Sequence, residues 1–124
     1  MKKENLTSSN VYPTINAQAV RANGFIFSTQ IGKSAKDNQI EIGIKAQAKR
    51  IMENIKTILE ENGSSLKKLV KVTVFMRDLN QAKEFNDIYY SYFKDSKSRP
   101  VRCCVQAGKL ANGIEVEVEF SALA

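Results

Sequence analysis

Apolar positions along this chain change their period several times, and each change predicts an element. In "AQAVRANGFIFSTQI" two short strand-like runs flank Asn23-Gly24, a dipeptide that tolerates the positive φ angles of a tight hairpin turn. "GKSAKDNQ" then reads as loop. From Ile44 the spacing becomes helical: Ile44, Ala48, Ile51, Ile55, Ile58 and Leu59 fall on one face, and the helix ends at "ENGSS" with Gly63 as its left-handed cap. "LVKVTVFM" places Val70, Val72, Val74 and Met76 on one side of a strand and Leu69 and Phe75 on the other.

Asp78 or Asn80 is positioned to cap a second helix, whose Phe85, Ile88, Tyr89, Tyr92 and Phe93 form one stripe. Pro100 bars its continuation, and two strands surround the loop "GKLANG". The expected order is β-β-α-β-α-β-β in one α+β domain spanning 1–124. Two helices cover only one face of such a sheet, yet the middle strand is apolar on both. The uncovered face predicts a homo-oligomer whose sheets pack together.

The terminal pair of strands raises a question of its own. Alternation groups Arg102, Cys104 and Gln106 on one face of the first, and Glu115, Glu117 and Glu119 on one face of the second. If the two pair as a hairpin, a register that keeps apolar with apolar brings Arg102 onto the glutamate face. A cross-strand ion pair is the plain reading. If that face is covered in an oligomer, the charges persist there only when paired or when awaiting a ligand, and an arginine fork suits a carboxylate.

Composition narrows the chemistry. The 124 residues include no histidine, which removes Ser-His-Asp and Cys-His nucleophile systems and histidine-based metal centres. Cys103 and Cys104 are adjacent, point to opposite sides of a strand, and form neither a disulfide framework nor a zinc site; small buried thiols are expected. The net charge of +6 permits RNA or an acidic metabolite as partner, but Lys45, Lys49, Arg50 and Lys56 interleave with Glu41, Glu53, Glu60 and Glu61 as on a solvated helix. No apolar run is of bilayer length and the start lacks a signal-peptide core, so a cytoplasmic protein without membrane contact is expected.

"GIKAQAKRIMENIKTILEENGSSLKKLVKVTVFMRDL", "FNDIYYSYF" and "RPVRCCVQAGKL…GIEVEVE" resemble the RidA family, also called YjgF or the L-PSP endoribonuclease group. The last stretch is similar to the family signature of proline, a small residue, arginine, and cysteine two places on. The resemblance, which runs from about Gln18 to the C-terminus, implies a chorismate-mutase-like fold and a homotrimeric barrel with ligand clefts between subunits. It also implies hydrolysis of 2-imino or enamino acids to 2-keto acids and ammonia, without cofactor or metal.

By that resemblance Arg102 clamps the substrate carboxylate, Glu117 positions water, and Cys104, Asn86 and Ser28 line the pocket. Asn16 stands where the family has a tyrosine, Tyr12 does not align with that tyrosine, and Thr29 stands where it has a glycine. Two other activities fit the same residues: cleavage of single-stranded RNA, and carboxylate binding without turnover.

Overall fold

A computed structural model describes residues 2–124. Six strands form one mixed sheet in the order β1-β2-β3-β6-β4-β5, with β1 at Lys3–Leu6, β2 at Ala19–Ala22, β3 at Phe25–Ile31, β4 at Leu69–Met76, β5 at Val101–Gln106 and β6 at Val116–Leu123. Two helices, α1 (Ile44–Glu61) and α2 (Ala82–Ser91), complete the fold. The expected order is present with one addition. The polar start supplies β1, which pairs antiparallel with β2 and carries no apolar alternation that would betray it.

Local chemistry explains the joints. Asn23 and Gly24 both take positive φ, 51° and 83°, as a two-residue hairpin turn between β2 and β3 requires. Gly63 follows α1 with φ 78°. Asp78 accepts a hydrogen bond from the Asn80 amide, so it caps the short 3-10 turn Leu79–Gln81 that leads into α2.

The core lies between the helices and one sheet face. Ile26, Val72, Val74, Met76, Val116, Val118, Phe120 and Ala122 face Ala48, Ile51, Met52, Ile55, Phe85 and Tyr89, all of them buried. Val70 departs from its expected place. The β4–β6 register shifts between Leu69 and Lys71, a bulge that turns Leu69 into the core and leaves Val70 exposed.

The hairpin expected at the C-terminus does not form. Helix α2 connects β4 to β5, so β5 returns parallel to β4 and occupies the sheet edge, while β6 inserts antiparallel between β3 and β4. The physical reason is burial. The unbroken apolar side of β6 (Val116, Val118, Phe120, Ala122) gains most at the sheet centre, whereas β5 offers Arg102, Cys104 and Gln106 on its corresponding side. Among the described residues no helix packs on the opposite face, and Phe27, Val101, Val105 and Leu123 are exposed there.

Candidate functional site

Register fixes which residues can meet. Val72 pairs with Arg102 on one side and with Phe120 on the other, so Arg102, with Cys104, lies on the helix-covered side of the sheet at its β5 edge. Glu117 pairs with Ile31 and Phe75, which places it on the open side with Glu119. Within one chain Arg102 and the glutamates therefore occupy opposite faces, contrary to the expectation drawn from a hairpin. Glu115, the third of that series, is held at 3.8 Å by Arg77.

The Arg102 guanidinium rests on the aromatic stripe of α2. Its Cζ is 4.8 Å from the Tyr89 ring centroid, 5.3 Å from Tyr90 and 6.0 Å from Phe85. Guanidinium over aromatic faces is attractive and orients the fork without consuming its donors. Among the described residues no carboxylate lies within 4.0 Å of it, and its buried Nη1 has no hydrogen-bond partner. The Oδ1 of Asn86 and the hydroxyl of Tyr89 are likewise buried and unpartnered. Asn86 precedes Tyr89 and Tyr90 by three and four residues, so helical spacing collects all three on the side that Arg102 approaches. A buried donor left unpaired costs free energy, and groups of both polarities left open together mark a place for a polar ligand.

Cys104 is half-buried beside Arg102, and burial raises its thiol pKa more than the neighbouring guanidinium lowers it; Cys103 adds a small upward push. Burial thus favours the neutral thiol over the nucleophilic thiolate. Cys103, expected to be buried, is exposed on the open face of the edge strand. Burial pushes the Tyr89 phenol up to about 12, against the opposing pull of Arg102. A phenol raised in the folded state loses protons later than in the unfolded chain, so its stabilising effect is intact below pH 10 and disappears as pH climbs towards 12. Tyr89→Phe is accordingly expected to flatten the fall in unfolding free energy between pH 10 and 12, measured by denaturant titration.

The remaining expected site residues lie elsewhere. Asn16 sits on an exposed loop and lines a concavity of about 530 Å³ on the open face, with Phe27, Thr29, Lys71, Thr73 and Glu119. Ser28 borders it too, but its hydroxyl donates to the Gln18 carbonyl and accepts from Gln30 Nε2. That hydroxyl is spent on the fold. Among the described residues no group of three His, Cys, Asp or Glu side chains is placed to hold a metal ion.

Four contributors escaped the sequence pattern: Tyr12, Gln18, Gln47 and Arg77. Tyr12 accepts a hydrogen bond from the Ile31 amide at 3.0 Å, and its phenol pKa is raised mainly by burial, with the Glu117 carboxylate adding to the rise. It thus stands near Glu117 although it does not align with the family tyrosine. Gln18 is the signal that locates it: its Nε2 donates to the carbonyls of Ser8, Val11 and Tyr12, tying that segment beside β3. Gln47 and Arg77 hold the loop that enters β6, through the backbone of Gly113 and Glu115 and of Ala111 and Ile114 respectively.

Comparison with known proteins adds a relationship to this geometry. The family described as "Endoribonuclease L-PSP" matches residues 8–124. A RutC family protein of Aquifex aeolicus is 41% identical over 108 residues, covering 86% of each chain. The 2-iminobutanoate/2-iminopropanoate deaminase of Escherichia coli K12 is 32% identical over 102 residues, covering 82% of this chain and 80% of its own. The crystal structure of E. coli TdcF with bound serine superposes with a TM-score of 0.89 at 28% identity, covering 98% of both chains.

Proposed function

Because the chain belongs to the endoribonuclease L-PSP family, the RidA/YjgF group, we propose that it hydrolyses 2-imino and enamino acids to 2-keto acids and ammonia. The observation that carries this reading is the guanidinium of Arg102, seated on aromatic rings with Nη1 unpaired. A bidentate contact to the substrate carboxylate satisfies it. Asn86 Oδ1 accepts from the ligand's nitrogen, and Cys104, as a neutral thiol, shapes the wall.

An enamine first tautomerises to its imine; water from the Glu117 side then adds its oxygen to the C=N carbon while its proton passes to the nitrogen. The carbinolamine hydroxyl gives up its proton as the oxygen closes to a carbonyl, and the nitrogen takes up a proton and leaves as ammonia when the C–N bond breaks. An imine is already electrophilic, so orientation and one polarised water are sufficient work for the protein. The likeness to a deaminase and to a relative that binds serine, a small amino acid carboxylate, supports the substrate class.

Arg102 and Glu117 face opposite ways in one chain, so in this reading the site is completed between copies. The Arg102 edge of one protomer meets the open, Glu117-bearing face of the next. Such a contact is heterologous and closes as a ring, here a homotrimer, and it covers Phe27, Val101, Val105 and Leu123. Neither cofactor, metal, RNA nor membrane enters the reading.

Subunit exchange tests it. Arg102→Ala and Glu117→Ala are each expected to be nearly inactive in ammonia release from 2-iminobutanoate. Mixed and allowed to exchange, they regain up to about a quarter of the wild-type rate, the statistical share of interfaces with both native groups in a random ring. Mixing without recovery, with exchange verified by mass spectrometry, defeats the shared site. Tight binding of 2-oxobutanoate without turnover of any imine defeats the enzyme and leaves a carboxylate binder.

A further inference from the structure

Arg102 is not the sole guanidinium on its aromatic platform. Arg99 Cζ lies 4.8 Å from the centroid of Tyr90, the ring that Arg102 approaches at 5.3 Å. Two like charges that share one ring repel each other, and among the described residues neither has a carboxylate within 4.0 Å. The nearest acid in sequence, Asp95, is engaged with the Lys97 amide at 3.0 Å. Arg99 spends one nitrogen on the Phe93 carbonyl at 3.3 Å, and among the described residues the rest of its fork has no partner.

Backbone chemistry holds this second charge in place. Arg99 precedes Pro100, which confines it to extended backbone, observed at φ −72° and ψ 138°. β5 starts directly afterwards, so Arg99 and Arg102 are spaced along one stiff segment and not along a mobile loop. Their separation cannot exceed the sum of the two ring distances. A four- or five-carbon dicarboxylate spans that gap, with charge-assisted contacts of about 2.8 Å at each end.

Resting on the reading of Arg102 as a carboxylate clamp, we propose that the site prefers imino and keto acids bearing a second, distal carboxylate, with Arg102 taking the α-carboxylate and Arg99 the distal one. The two cations then exchange mutual repulsion for neutralisation by one dianion. Monocarboxylic imines use only the first.

Calorimetric titration with stable product acids tests this at low ionic strength, where a partly exposed cation retains its effect. 2-Oxoglutarate is expected to bind about fivefold or more tighter than 2-oxobutanoate. Arg99→Met, which keeps the stem over Tyr90 and removes the charge, erases that difference while 2-oxobutanoate binding stays within about twofold. Equal affinities in the wild type overturn the proposal, as does a variant that weakens both acids alike, since Arg99 then only supports the ring. Wild-type protein that binds both acids without discriminating between them removes this inference alone; wild-type protein that binds neither acid removes the Arg102 clamp as well.

Discussion

Arg102→Ala is expected to lower kcat/KM for imine hydrolysis by at least about a hundredfold while changing the stability of the fold by no more than about 1 kcal/mol. The asymmetry follows from what the guanidinium does in the free protein. Among the described residues it has no carboxylate partner and its buried Nη1 is unsatisfied, so its removal gives back a desolvation cost and forfeits only its packing on Tyr89 and Tyr90. In the proposed complex the same group makes charge-assisted bonds whose loss leaves a buried carboxylate unpaired, a penalty of about 2–5 kcal/mol. Arg102→Lys separates fork from charge: it is expected to recover part of the binding and little of the rate, because a point charge does not orient the imine. Ammonia release and thermal denaturation on the same preparations check both halves. A variant that loses activity only in proportion to lost stability refutes the clamp.

The fold was legible where one physical term dominates. Hydrophobic period located both helices and the central strands, and Asn23-Gly24 marked its turn, because burial and backbone sterics act locally there. Strand order was not legible. A hairpin between β5 and β6 satisfies the same alternation as the observed sheet, and only the competition for central places, won by the apolar side of β6, separates the two.

That one difference turns Arg102 away from Glu117. A residue pattern can name both groups, but whether they meet within a chain or between chains depends on topology. β1 and the bulge at Val70 were hidden for a related reason: edge pairing and register shifts rest on backbone hydrogen bonds, which leave little trace in side-chain identity.

Gln47 shows most clearly what polar residues do when a helical stripe appears to be interrupted. It falls between Ile44 and Ile51 on the buried face of α1, with 1% of its surface exposed. Its Nε2 donates to the carbonyls of Glu41 and Gly113, both at 2.9 Å, and its Oε1 accepts from the Glu115 amide at 2.9 Å. Gly32 makes room for it, since a Cβ there would stand 2.7 Å from Gln47 Cα.

One side chain thus satisfies three backbone groups of two segments far apart in sequence, and the second of them runs directly into β6 and Glu117. Gln47→Ala is expected to destabilise the protein by roughly 3–5 kcal/mol, from the orphaned backbone groups and the cavity together, with a fall in Tm of roughly 10 °C or more. Gln47→Met distinguishes the causes. It restores most of the volume but none of the bonds, so it is expected to lose nearly as much, and denaturation showing Met within about 1 kcal/mol of wild type would mean that packing, and not hydrogen bonding, anchors the strand that presents Glu117.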